Sequence, residues 1–183
     1  ESFQLKAFYS LSIVIFDLPS GYLADIIGRR RSLLIGATLG TLGFFFYSFT
    51  ASFYYFMLAE IALGIGQSFI NGADSALLYD TLKSDKRENE YLKYEGRLFS
   101  VGNFAEAAGS FVGGALALYS LRLPFLAQTG VAFMAIPAAY FLVEPPVHRV
   151  MKGGFLATLY SIKLAIQNNV PLRWNLLFSA LIG

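Results

Sequence analysis

Of the chain's 183 residues, 56% are hydrophobic and only 14% are charged. Soluble domains carry roughly 25% charged residues, so the composition excludes an ordinary water-soluble domain and implies a bilayer as solvent. The absence of cysteine excludes disulfides and thiolate chemistry, the single histidine (His148) excludes a His-cluster metal site, and a net charge of +2 is too small to imply nucleic acid.

A membrane-spanning helix needs about 20 mostly apolar residues. Five stretches meet that length, at 5–24, 32–50, 53–82, 99–119 and 123–143. The third is long enough to tilt or to project beyond the bilayer, and Pro137 marks a kink in the fifth, tolerated in lipid. A sixth span starts at Leu172 and is cut at Gly183, while Glu1 leads at once into the first, so the sequence reads as an internal fragment. The predicted organisation is an all-α polytopic bundle over 1–145, a linker over 146–171, and the start of a further span over 172–183.

The connections alternate in charge. Eleven of the fourteen Lys and Arg fall in the odd-numbered loops, at 29, 30, 31, 83, 86, 87, 93, 97, 149, 152 and 163, against Arg122 alone in the even-numbered ones. The positive-inside rule puts the odd loops in the cytoplasm of a multi-pass protein of the cell membrane. In the linker, Phe155, Leu159, Ile162 and Ile166 make one apolar stripe at helical spacing. That pattern predicts an interfacial helix over 153–168 lying on the cytoplasmic surface; a solvated linker helix is the alternative.

Four carboxylates fall inside the spans: Asp17, Glu60, Asp74 and Glu106. A charge in the hydrocarbon region costs at least about 2.5–3.5 kcal/mol, so each must face a cavity, pair, or be protonated. In the third span Glu60, Gln67, Asn71 and Asp74 fall within about 60° of arc on a continuous helix. A polar stripe this narrow predicts a lined water or solute path, with interhelical hydrogen bonding as the alternative. Asn103, Glu106 and Ser110 repeat the theme in the fourth span. This reading finds no Lys or Arg within the five spans to neutralise the carboxylates, which favours protonation or cation binding, and so a cationic or neutral solute, over permanent ion pairs. Gly102, Gly109, Gly113 and Gly114 form a second stripe on the fourth span, a face on which another helix backbone can pack closely or slide.

The loop after the first span reads Gly21-Tyr22-Leu23-Ala24-Asp25-Ile26-Ile27-Gly28-Arg29-Arg30-Arg31. It resembles the signature loop between helices two and three of the major facilitator superfamily, with Ile26 where the family usually has a basic residue. Gly109-Ser110-Phe111-Val112-Gly113-Gly114 is similar to the family's antiporter motif in helix five, with Ser110 in place of proline. Glu60 precedes Gly64-Ile65-Gly66 where the family's helix-four motif has an arginine. Asp17-Leu18-Pro19-Ser20-Gly21 and the run from Asn71 to Leu82 resemble a prokaryotic branch. The resemblance implies twelve helices in two six-helix halves with a substrate site between them at the midplane. This chain would supply helices two to six, the central loop and the start of helix seven, and a C-terminal six-helix half would complete the site.

The resemblance further implies a secondary active transporter of a small solute, proton-coupled and working by alternating access. Asp17, Glu60, Gln67, Asn71, Asp74, Asn103 and Glu106 would bind solute or protons, and Gly21, Asp25, Gly28, Arg29, Arg30, Asp80 and Arg97 would form a cytoplasmic gate. A non-transporting receptor or scaffold on the same fold is the alternative. No cofactor is implied. No nucleophile stands at helical spacing from a base, and no phosphate-cradling loop of the Gly-x-x-x-x-Gly-Lys type is present, so neither enzymatic chemistry nor ATP-driven pumping is expected.

Overall fold

In hydrocarbon every backbone N–H and C=O must be satisfied within its own segment, so long apolar stretches become helices. The computed structural model describes residues 2–49 and 52–146, together with Leu164, Asn169 and Trp174. The chain divides into two units, 1–148 and 149–183, and the helices that follow all belong to the first. They are α1 (Ser2–Ile27), α2 (Arg29–Phe49), α3 (Phe53–Asn71), α4 (Ala73–Ser84), a 3₁₀ turn at Glu88–Glu90, α5 (Tyr91–Ala117) and α6 (Leu123–Phe141). The described residues contain no strand. The interfacial helix expected at 153–168 and the span expected from 172 lie outside the described residues.

Among the described residues, four stretches are long and apolar enough to cross a membrane: Gln4–Ile27, Arg29–Phe49, Phe53–Ser84 and Leu123–Phe141. α5 is long enough at 27 residues, but Lys93, Glu95 and Arg97 in its first two turns and Asn103 and Glu106 further on interrupt its apolar run. The 32-residue third stretch is interrupted at Gly72, which ends α3 and starts α4.

Packing inverts the pattern of a soluble core. Bulky residues face outward, with Val14 72% and Leu118 87% exposed, while the buried set is dominated by Ala24, Ala37, Ala59, Ala73 and five serines. Small residues let helix backbones approach in lipid, where no hydrophobic force drives helices together. α3 lies between α1 and α2, α2 packs in turn on α6, and α5 meets the bundle chiefly through α6. At the α2–α3 crossing a Cβ on Gly36 would lie 2.8 Å from the Gly66 carbonyl oxygen, and one on Gly66 would lie 3.0 Å from that of Gly36. At the α1–α3 crossing a Cβ on Gly64 would meet the Tyr9 carbonyl oxygen at 2.6 Å. Serines add polar links across the same crossings. Ser20 Oγ donates to the Ser68 carbonyl at 2.9 Å and Ser32 Oγ to that of Phe69 at 3.3 Å, bonds worth roughly 0.6 kcal/mol each in a membrane protein.

Candidate functional site

A cavity of about 570 Å³ opens among α1, α2, α3 and α6. Its walls include Lys6 and Tyr9 from α1, Phe44 and Tyr47 from α2, Glu60 and Gln67 from α3, and Phe125 from α6. Glu60 is half-buried, and its Oε1 accepts a hydrogen bond from the Tyr47 hydroxyl at 2.6 Å. Tyr47 is held in place by rings on both faces, Phe56 at 5.1 Å and Phe125 at 5.2 Å between centroids, with interplanar angles of 27° and 13°. Three helices therefore fix the direction of one phenol, and the phenol fixes one carboxylate.

Lys6 corrects the expectation that no basic side chain lies within the spans. It sits near the start of α1, close enough to the edge of the apolar run to be overlooked, yet it lines the same cavity as Glu60.

The polar stripe of the third span does not stay together. Gln67 lines the cavity and donates to the exposed Asn71 at 2.7 Å through Nε2. Asp74 falls beyond the interruption at Gly72, in the first turn of α4, where it accepts from the Ser75 backbone N–H at 2.6 Å. Neither Asn71 nor Asp74 lines this cavity. Ser75 Oγ in turn donates to Glu95 of α5 at 2.7 Å. Asp17 is exposed on α1 and Asn103 on α5, and neither lines a described cavity.

Glu106 lines a second cavity of about 700 Å³ between α5 and α6, with Ser110 and Gln128 as further polar lining. Phe44 and Phe125 border both cavities. The α5 glycines do not mark close packing among the described residues: no described atom lies within 4 Å of a Cβ placed on Gly102, Gly109, Gly113 or Gly114. Gly109 and Gly113 instead form part of the second cavity wall.

At the basic end of the bundle the signature loop folds into a charge cluster. Asp25 pairs with Arg29 one helical turn on, with 2.5 Å between oxygen and nitrogen, and Arg29 Nε lies 3.8 Å from Asp80 of α4. Gly28 joins α1 to α2 with φ +107°, a conformation open to glycine and strained for other residues. Over it lies the carboxylate of Glu144, three residues past the end of α6, whose Oε1 accepts from the Arg29 backbone N–H at 2.8 Å. Glu144 therefore caps the N-terminus of α2 from a distant part of the chain, the end where the helix dipole favours negative charge. Arg30 stacks over Tyr140 of α6 at 4.9 Å. The structure does not bring Arg97 to this cluster; its guanidinium lies over Tyr94 at 5.7 Å. Nothing described lies within 4 Å of a Cβ on Gly21, so no close approach requires glycine there.

The family model of the Major Facilitator Superfamily matches residues 5–183. The chain belongs to the Major Facilitator Superfamily. Membership accounts for the multi-pass helical membrane architecture.

Similar superfamily proteins include the methyl viologen resistance protein SmvA of Salmonella typhimurium, 28% identical over 187 residues that cover 96% of this chain and 37% of that protein. The vacuolar membrane amino acid uptake transporter fnx2 of Schizosaccharomyces pombe is 28% identical over 141 residues, 76% of this chain and 24% of its own length. The quinolone resistance protein NorA of Staphylococcus aureus is 24% identical over 149 residues, 81% of this chain and 37% of its own. The chain thus spans little more than a third of these relatives, or less.

Proposed function

We propose that the chain is part of a secondary active transporter that moves a small solute by alternating access and couples that movement to protons at Glu60. The observation that carries this reading is the Tyr47–Glu60 hydrogen bond inside a 570 Å³ cavity of a lipid-embedded bundle. A carboxylate there is costly unless it has a task, and proton exchange at Glu60 is such a task. The relatives' descriptions name resistance to methyl viologen and to quinolones and uptake of amino acids, which supports transport as the common activity.

The Asp25–Arg29–Asp80 cluster supplies a gate at the cytoplasmic end. It ties α1, α2 and α4 together.

Reconstitution of the full-length protein in proteoliposomes tests the reading. Methyl viologen, a quinolone and an amino acid are offered with and without an imposed pH gradient. Gradient-driven accumulation of at least one of them is expected, and Glu60→Gln should abolish the dependence on the gradient while leaving membrane insertion intact. Uptake in Glu60→Gln with the wild-type pH dependence would remove Glu60 from the coupling site.

A further inference from the structure

The corner where α4 passes into α5 carries positive charge that its own carboxylates do not use up. In the loop, Lys83 and Lys86 are matched in number by Asp85 and Glu88. Arg87, Lys93 and Arg97 then act together on one carboxylate, Glu90, since Glu95 is bonded to Ser75 of α4. Arg87 is spent: it donates to both Glu90 oxygens at 2.8 and 3.0 Å and to the Tyr94 hydroxyl at 2.9 Å. Lys93 and Arg97 are exposed and enter no ion pair among the described residues. The Arg97 guanidinium lies 5.7 Å from the centre of the Tyr94 ring and that of Arg87 5.6 Å from it, so one interfacial tyrosine sets where both stand.

Further along α5 the same face becomes apolar. Lys93, Arg97, Val101, Phe104 and Phe111 fall within about 80° of arc on a helix, and the three apolar members are 66–82% exposed. The opposite side carries Glu106, Gly109 and Gly113, which line the cavity towards α6. One side of α5 thus turns to protein and the other turns outward, with cations at its end. Phe104 lies about 10 Å along the axis from Arg97, inside a single leaflet, whose hydrocarbon is about 15 Å deep. We propose that this face of α5 binds an anionic phospholipid, with the phosphate held by Lys93 and Arg97 beside Tyr94 and an acyl chain lying along Val101 and Phe104. A zwitterionic lipid brings its own cation to a site that already has a surplus, whereas a lipid of net negative charge relieves it. Each Lys or Arg near a membrane surface is worth about fivefold in affinity for anionic lipid. The assignment rests on α5 being embedded in the bilayer and is independent of proton coupling at Glu60.

The test places a tryptophan in the proposed site, Val101→Trp, in the full-length protein. The protein is reconstituted in vesicles of phosphatidylcholine with phosphatidylglycerol of the same chains as minor component. One lipid or the other carries brominated chains, which quench tryptophan on contact. The quenching gained over the parent protein isolates the new side chain. Phosphatidylglycerol is expected at the site about tenfold or more above its share of the bilayer. Lys93→Gln and Arg97→Gln should each lose several-fold of that preference, and the double variant should return to the bilayer ratio. Quenching by brominated phosphatidylcholine should persist in the double variant, which shows that the helix is still inserted and facing lipid. Arg122→Gln, at the other end of α5, should leave the preference as it was. Quenching that follows the bilayer ratio in the Val101→Trp protein would overturn the assignment, as would an unchanged preference in the double variant. Absence of quenching by either lipid would also overturn it, because the face would then be covered by protein. Inorganic phosphate should displace no more phosphatidylglycerol than chloride at equal ionic strength; selective displacement by phosphate would give the two cations to a soluble anion instead.

Discussion

Gly28 and Glu144 are 116 positions apart in the chain, yet each explains the other. A Cβ on Gly28 would stand 2.5–2.9 Å from the Glu144 carboxyl group, and φ +107° adds backbone strain of roughly 1–2 kcal/mol for any other residue. Gly28→Ala is therefore expected to destabilise by about 2 kcal/mol or more, and Glu144→Ala by about 1 kcal/mol through loss of the cap. The double variant should fall short of their sum, because once Glu144 is truncated only the backbone strain remains. Denaturation midpoints of the four proteins in detergent check this, and strict additivity would mean that the carboxylate does not rest on Gly28. In the α4–α5 connection, Arg87 donates to both oxygens of Glu90, at 2.8 and 3.0 Å. That bonding holds the Glu90 carboxyl below its ordinary range. A carboxyl whose pKa is lower folded than unfolded stabilises the fold above the unfolded value of about 4.3 and loses that contribution as pH falls through the folded value. The stability difference between wild type and Arg87→Ala should accordingly be small at neutral pH, because both groups are exposed, and should vanish in acid; a difference that grows in acid would contradict it. Residues of this kind differ in how far sequence reveals them. Glu60 stood out because a lone carboxylate in an apolar run is costly, and Asp25 and Arg29 because the signature loop is specific. Tyr47 did not, since a tyrosine in an apolar run is unremarkable until Phe56 and Phe125 arrive from other helices to aim it. Glu144 is an ordinary loop acid until the fold sets it over Gly28.

Helix-level features were legible where composition alone decides them. The apolar runs at 32–50 and 123–143 lie close to α2 and α6, because backbone satisfaction in lipid leaves no competing structure. The interruption at Gly72 was not legible, since the apolar run continues through Leu77 and Leu78 and the glycine there has an ordinary right-handed conformation, φ −97° and ψ −18°. Asp74 lies past it in the first turn of α4, and Asp80 further along α4 comes within 3.8 Å of Arg29. Among the glycines, the stripe on α5 was the more conspicuous, but the close approaches occur at Gly36, Gly43, Gly64 and Gly66, where α2 and α1 meet α3. Gly36 has the Ile70 side chain 2.6 Å and the Gly66 carbonyl oxygen 2.8 Å from where a Cβ would sit. Ile70 can rotate, but the Gly66 backbone cannot retreat without moving α3. Gly36→Ala is thus expected to cost about 1–3 kcal/mol through overpacking and to lower the thermal midpoint in detergent. A Gly36→Ala midpoint equal to wild type would show that the α2–α3 crossing is looser than its geometry implies.

At the scale of the molecule, the basic loops and the charge cluster coincide at one end of the bundle. Asp25, Arg29, Arg30 and Asp80 lie there with Glu144 and Tyr140, so a single turn of chain ties α1 and α2 to α4 and to the end of α6. Any state in which α4 moves away from α2 must break the 3.8 Å contact between Arg29 and Asp80, while the stacking of Arg30 on Tyr140 can persist because α2 and α6 pack side by side. The cluster is therefore a weak latch, fit to open and close repeatedly rather than to hold permanently. Partly exposed ion pairs are worth only on the order of 1 kcal/mol, which suits an equilibrium poised between two states. Asp25 acts on the latch indirectly by orienting the Arg29 guanidinium from one helical turn away, and it stands at the opposite end of α1 from Lys6. Asp25→Asn should therefore lower the turnover of solute transport by roughly three- to tenfold, the rate equivalent of about 1 kcal/mol, while the concentration for half-maximal transport changes little. Asp80→Asn should do the same, and the two together should be little worse than either alone, since both act through Arg29. Initial rates of transport across a range of solute concentrations separate the two parameters. A large change in half-saturation with turnover preserved would place Asp25 in solute binding instead of the latch, and additive losses would show that Asp25 and Asp80 act on separate partners.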